Sequence, residues 1–250
     1  MWEIDLTGSI ALVTGASRGI GRAIAVGLAR AGADVVAVAR SEPDLVHLSK
    51  EIGQLGSSCL PLVVDFARSD SVPRLADDAW GWRDGIDVLV NAAGIIIRRD
   101  PPDVTVDDFD RVMAVNLRSP FILIQEVGGR MRRRGRGSIV NIASLAGEAV
   151  TGAPLTYQAS KAALIHLTRG FASRFAPEVR VNAVGPGYIR TSLNEEWLND
   201  AGNARYVEEH SVSGRVGVPD DVVGAVVFLA SPAASYINGQ HLRIDGGWGI

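Results

Sequence analysis

The stretch "TGASRGIG", Thr14 to Gly21, decides how this 250-residue chain is read. It joins a hydrophobic strand at residues 9 to 14 to a helical apolar pattern at residues 19 to 31. Glycines at its start and finish tolerate tight backbone geometry. They let an anionic group approach exposed amides at a helix N-terminus, where the dipole favours negative charge. The glycine spacing departs from G-x-G-x-x-G, and there is no lysine to complete a nucleotide-hydrolysing P-loop. Alone, the stretch reads either as a phosphate-binding loop or as an ordinary strand-to-helix turn.

Beyond it the alternation continues. Strands are predicted at about 34–39, 60–64, 86–90, 137–142 and 179–184, with a last one in "HLRID". Helical patterns fall near 43–55, 70–81, 106–133, 154–175 and 219–230. The strand cores are apolar throughout, which favours parallel strands covered on both faces and predicts an α/β, doubly wound sheet. No linker, internal repeat or low-complexity tract divides the chain, so residues 1–250 read as a single domain. The less periodic residues 188–215 are expected to form a substrate lid.

Composition narrows the function. The start "MWEIDLTGSIALVTG" has no basic region leading into a hydrophobic signal core, and no run approaches 18 apolar residues. A cytoplasmic protein, neither secreted nor membrane-spanning, is expected. Cys59 is the only cysteine, which excludes an intrachain disulfide and a four-cysteine zinc site. His210 has no metal-ligand pattern around it, and no metal is expected. A formal charge of -3 gives no global reason to seek nucleic acid. The basic run "RMRRRGRG", Arg130 to Gly137, suits a solvated helix C-terminus, where cations complement the dipole.

The stronger chemical signal lies in "YQASK". Tyr157 and Lys161 are four residues apart on a predicted helix and share one face. An ammonium beside a phenol favours phenolate and is expected to lower the tyrosine pKa, which would permit proton exchange with an alcohol. Ser144 ends "IVNIAS", where its hydroxyl can orient a carbonyl or alcohol beside Tyr157. Asn116 in "AVNLRS" can hold a water linked to Lys161 through its side-chain amide or a local helix distortion. Asp65 ends the third strand, where it can accept a hydrogen bond from adenine or cap a helix. Asn91-Ala92-Ala93-Gly94 closes the fourth strand with small residues. Singly, each has a structural reading as a turn or helix-surface residue; their ordered combination points to catalysis.

In that order the motifs "TGASRGIG", "NAAG", Asn116, Ser144, "YQASK", "VGPGYIRT" and "IDGG" resemble the classical short-chain dehydrogenase/reductase family over the whole chain. The resemblance implies a single-domain Rossmann fold with a seven-stranded parallel sheet and reversible alcohol/carbonyl hydride transfer. It implies acid-base chemistry for Tyr157, substrate orientation for Ser144, nicotinamide-ribose contact and pKa lowering for Lys161, and support of a relay water for Asn116. Cofactor contacts are implied at Gly15, Ser17, Arg18, Gly19, Ile20 and Gly21, at Arg40, Asp65 and Phe66, and at Asn91, Ala92, Ala93 and Gly94. Tyr157 and Lys161 join them, with Pro186, Gly187, Ile189 and Thr191 beside the nicotinamide. Ala92 stands where the family commonly has a second asparagine.

Ala39 aligns with the usual acid that selects NAD, and Arg40 with a frequent base that selects NADP. Arginine offers charge-assisted donors to a 2'-phosphate, and Arg18 could form the other side of the clamp. Glu42 is expected in the first turn of the following helix. NADP(H) is therefore the expected cofactor, with NAD(H) as the alternative. "NAAGIIIRRD", "VGPGYIRT", "SGRVGVPDD" and "YINGQHLRIDGGW" are similar to the gluconate 5-dehydrogenase and 2-dehydro-3-deoxygluconate dehydrogenase branch. This implies a sugar acid or related polyol substrate, with Arg98 or Arg99 guiding its carboxylate. Other alcohols or ketones, and a non-catalytic dinucleotide sensor, remain alternatives. Ile95, Ile96 and Ile97 can serve as packing, and Trp197, Tyr206 and His210 as a substrate wall or lid packing. Family resemblance also implies a homotetramer built on helix faces, with a dimer as the alternative.

Overall fold

A computed structural model describes residues 4–68, 70–83 and 85–248; the first three residues, Ser69, Asp84, Gly249 and Ile250 lie outside it. Seven strands form one sheet: β1 Ile10–Thr14, β2 Asp34–Ala39, β3 Cys59–Val63, β4 Val88–Asn91, β5 Gly137–Ile142, β6 Val179–Pro186 and β7 His241–Ile244. Their order is β3-β2-β1-β4-β5-β6-β7, and every neighbouring pair is parallel. The expected α/β, doubly wound fold is thus present.

All five residues of β1 are buried, because alternate side chains enter different cores. Ala11 and Val13 pack with Ile24 and Leu28 of α1 (Gly19–Arg30), Leu45 and Leu48 of α2 (Glu42–Gln54), and Val222 and Val226. Ile10 and Leu12 enter the opposite core, with Leu75 of α3 (Ser71–Gly81), Leu123, Val127 and Met131. The sheet is sandwiched, so its ligand-binding edge must lie at the strand ends.

The predicted helix at 106–133 is interrupted. It runs as α4 Val106–Met113, a π turn at Ala114–Arg118, α5 Ser119–Leu123, a second π turn at Ile124–Gly128, and α6 Gly129–Arg134. Pro120 explains the first interruption: it has no N–H to offer the Asn116 carbonyl four residues earlier. The Ser119 hydroxyl enters the break and donates to the carbonyls of Ala114 (2.9 Å) and Phe66 (2.8 Å). α6 ends at Gly135, whose φ of +85° is left-handed. The basic run sits at this helix end as expected, but Arg130 and Arg134 are largely covered rather than solvated, paired to Asp77 and Asp87 and lying over Trp80.

The remaining helices are α7 Leu155–Phe175, α8 Glu195–Leu198, α9 Ala201–His210 and α10 Asp220–Ala230. Residues 188–215 therefore contain two short helices, where the sequence pattern was too weak to predict any. Among the described residues no helix is long and apolar enough to cross a membrane.

Candidate active site

The sheet order reverses beside β1, which pairs with β2 on one side and β4 on the other. The loops leaving β1 and β4 diverge there and open a crevice. Thr14 joins them: its hydroxyl accepts the N–H groups of Ala92 and Ala93, both at 3.0 Å. A cleft of about 850 Å³ begins at this point and runs past the ends of β5 and β6.

The "TGASRGIG" loop forms its floor. Gly15 and Gly19 have φ of +68° and +56°, conformations that side chains resist. A Cβ on Gly15 would lie 2.9 Å from the Ala93 backbone, and one on Gly21 would collide with the Gly15 carbonyl. α1 starts at this loop with neither a side-chain cap nor an acidic residue in its first turn, so its terminal amides and dipole face the cleft uncompensated. These features fit the pyrophosphate of a dinucleotide. Gly21→Ala should therefore weaken dinucleotide binding at least tenfold and lower the melting temperature by several degrees, because backbone must move to admit one methyl. Isothermal titration and a thermal melt check both.

Arg18, Arg40 and Ser41 line one end of the cleft. Ala39 is buried and Arg40 is exposed, so the β2 terminus presents arginine and no acid at the strand end. Glu42 lies in the first turn of α2, as expected, and off the cleft wall; Asp44 in the same turn lines it. Asp65 and Phe66 border the cleft after β3, where Asp65 Oδ1 accepts the Ala67 N–H at 3.0 Å. Thr191 lies against Gly19 of the glycine loop, while Pro186, Gly187 and Ile189 complete the wall.

The acid-base residues meet midway. Ser144 follows β5 in an extended conformation, its hydroxyl accepting the Ala146 N–H at 3.1 Å. Tyr157 and Lys161 project from α7, with Lys161 Nζ 5.6 Å from the phenol ring centre. Nζ donates to the Ile142 carbonyl at 2.7 Å, and Lys161 is only 4% exposed. Burial pushes its pKa down to about 8. Burial also raises the Tyr157 phenol above its ordinary value, although a hydrogen bond with Ser144 and the charge of Arg98 pull the other way. The expected lowering is thus reversed in the chain alone, because loss of hydration around the phenolate outweighs the Ser144 hydrogen bond and the Arg98 charge.

Every expected site residue lines the cleft except Asn91 and Asn116. Asn91 is buried behind the wall, where its Nδ2 donates to Asn141 Oδ1 at 2.8 Å. Asn116 Oδ1 accepts the Ile95 N–H, and its Nδ2 donates to the Ile95 carbonyl and Ser160 Oγ. The side-chain amide is therefore engaged with protein. Of the two readings for Asn116, the local helix distortion is the one present. Pro120 was the sequence signal for it.

On the substrate side the two candidate arginines separate. Arg99 pairs with Asp108 at 2.7 Å, whereas Arg98 lines the cleft and its charge reaches Tyr157 and Tyr188. Ile95 and Ile96 line the cleft, and Ile95 also packs on the core. Trp197 borders it as well; Tyr206 and His210 stand behind the wall and contact each other at 4.2 Å. Asp44, Arg111 and the Thr151–Ala153 loop also border the cleft, although no local sequence motif marks them, and so does Tyr188, which lies within "VGPGYIRT".

Comparisons with known proteins agree with this architecture. Residues 15–249 match the family profile described as enoyl-(acyl carrier protein) reductase, of the adh_short_C2 type. The chain is 36% identical to the 2-dehydro-3-deoxy-D-gluconate 5-dehydrogenase of Escherichia coli, over 98% of this chain and 96% of that one. It is 39% identical to the enzyme of the same name from Bacillus subtilis, over 98% and 96%. The crystal structure of a gluconate 5-dehydrogenase from Burkholderia cenocepacia, in complex with NADP and tartrate, superposes with a TM-score of 0.93 at 36% identity. That match covers 98% of this chain and 96% of the other. With the sheet order, the glycine cradle and the tyrosine-lysine pair in place, the chain belongs to the classical short-chain dehydrogenase/reductases, a family of NAD(P)-dependent oxidoreductases.

Proposed function

We propose that this protein interconverts a secondary alcohol and a carbonyl on a sugar acid or related polyol, with NADP(H) preferred. The observation that carries the reading is the meeting of Ser144, Tyr157 and Lys161 midway along a cleft that has a glycine cradle at one end and Arg98 at the other. The glycine loop, with Pro186, Gly187 and Ile189, would hold a dinucleotide whose nicotinamide would supply or accept the hydride. Ser144 holds the substrate oxygen, and Tyr157 takes its proton during oxidation and returns it during reduction. The Lys161 ammonium favours the phenolate, and the helix distortion at Asn116 suits the support of a relay water. Arg98 offers a guanidinium to the substrate carboxylate. The sugar-acid relatives support this choice of substrate.

The reading is tested by a matrix of NADH and NADPH turnover against keto sugar acids, uncharged polyol ketones and simple ketones. NADPH-linked reduction of a sugar acid should exceed that of a simple ketone at least tenfold. Cofactor binding without turnover anywhere in the matrix would make the protein a sensor. Arg98→Met should cost about 10- to 100-fold in kcat/KM on the sugar acid, the worth of a charge-assisted bond, and much less on a polyol ketone. An equal loss on both would remove Arg98 from carboxylate recognition.

Arg40 and Arg18 supply the preference for a 2'-phosphate. Arg40→Ala should raise the KM for NADPH by about tenfold or more and leave that for NADH within about twofold. NAD(H) is the second reading, favoured by Asp44 on the same stretch of wall as Arg40. We further propose a cytoplasmic homotetramer assembled through helix faces, with a dimer as the alternative; light scattering on the purified protein distinguishes them.

A further inference from the structure

The segment following β7 folds back under the substrate wall. Gly246 and Gly247 both have left-handed φ, +67° and +80°, and the Gly247 N–H donates to Asp245 Oδ1 at 3.1 Å. The Gly246 carbonyl accepts the Ser213 N–H at 2.9 Å and the Ser211 hydroxyl at 3.1 Å. This turn is therefore pinned to the chain leaving α9. A Cβ on Gly246 would lie 2.6 Å from Ser211 Oγ, so the contact needs glycine.

The reversal sets the Trp248 indole against three rings: Tyr188 at 4.7 Å, Tyr206 at 5.5 Å and His210 at 5.7 Å. Tyr188 stacks in turn on Trp197 of α8, with centres 5.4 Å apart and planes 22° apart. Tyr188 and Trp197 face the main cleft, whereas Trp248 borders a smaller cavity of about 240 Å³ behind them. Beyond its hydrogen bonds, this region has little apolar burial to hold it. α8 buries only Leu198, and α9 buries only Val207. Elements with so few buried apolar contacts open readily, which gives the aromatic cluster a large share in holding them closed.

We propose that Trp248 is a positioning residue for substrate capture, holding Tyr188, Trp197 and α9 in the arrangement that closes the substrate end of the cleft. It does so from outside the cleft. Its effect is on the population of the closed wall, and hence on KM, while the proton-transfer groups on α7 stay in place. The kinetic consequence rests on the alcohol/carbonyl reading above; the structural consequence does not.

Hydrogen exchange on the cofactor-free protein tests the structural part. Trp248→Ala should speed amide exchange in residues 195–210 about tenfold or more, with β4 and β5 unchanged, and Trp248→Phe should restore most of the protection. With the best substrate from the matrix, Trp248→Ala should raise the substrate KM about tenfold while kcat and the cofactor KM stay within about threefold. Combining it with Trp197→Ala should add little to the KM of either single variant, since both act through Tyr188. Unchanged exchange in 195–210 would overturn the proposal, as would exchange accelerated equally in the core strands. A parallel fall in kcat with no change in KM would do the same. If the wild-type protein turns over nothing, the functional reading fails and the exchange result still decides the role of Trp248.

Discussion

Tyr157→Phe is expected to lower turnover by about a thousandfold, in the middle of the range for removing a positioned acid-base group. The substitution deletes one hydroxyl. The ring keeps its place on α7 over Lys161, and the Tyr157 carbonyl still accepts the Ser160 hydroxyl at 2.8 Å. Dinucleotide affinity should stay within about twofold and the melting temperature within a few degrees, so the loss falls on kcat. The direction of the phenol pKa adds a second readout. Because burial holds Tyr157 protonated, the base form needed for alcohol oxidation grows about tenfold per pH unit below its kinetic pKa. Wild-type oxidation should climb with that slope through the neutral range, and the residual activity of the variant should lose it. Wild-type-like turnover by the variant would remove Tyr157 from the chemistry.

The fold was legible where burial and periodicity reinforce each other. β1, β2 and β5 lie in apolar runs bounded by turn residues, and their observed limits follow those runs. Periodicity failed where the helical apolar stripe persists through a change in hydrogen bonding. Val112, Val115 and Leu123 are all buried, so the stripe suggests one regular helix. Pro120 breaks the ladder without disturbing that stripe. α9 was missed for the opposite reason: a ten-residue helix that buries only Val207 leaves almost no pattern to detect.

The site shows the same division. The glycine cradle and the Tyr157-Lys161 pair are each local in sequence, so their spacing and their order along the chain together were enough to point to them. Which of Arg98 and Arg99 faces the cleft depends on Asp108, which takes Arg99 as part of the α4 capping arrangement with Thr105. The phenol pKa depends on burial produced by the assembled walls. The wall of Tyr188, Trp197 and Trp248 comes from three separate segments that meet only in the folded chain.

Lys161→Met should also abolish most turnover, yet make the cofactor-free protein more stable at neutral pH. Its ammonium is almost fully buried, and burial lowers its pKa to about 8, against about 10.4 for the lysine of an unfolded chain. Below pH 8 both states carry the proton, and the native state bears the cost of a buried charge. Between about pH 8 and 10 the unfolded state binds more protons, so wild-type stability rises with pH. The full effect of such a shift is about 3 kcal/mol. Methionine fills similar space without charge and should flatten that rise. It forfeits the charge-assisted bond to the Ile142 carbonyl, a loss of about 2 kcal/mol, which leaves a net gain of about 1 kcal/mol at pH 7. Tyr157 works in the opposite sense once unfolded tyrosines ionise, so the comparison belongs below pH 10. Thermal melts of both proteins from pH 7 to 10 check the slopes. Parallel slopes would mean that Lys161 titrates alike in both states. A steeper wild-type slope, with Lys161→Met inactive, would mark the buried ammonium as a stability cost retained for chemistry.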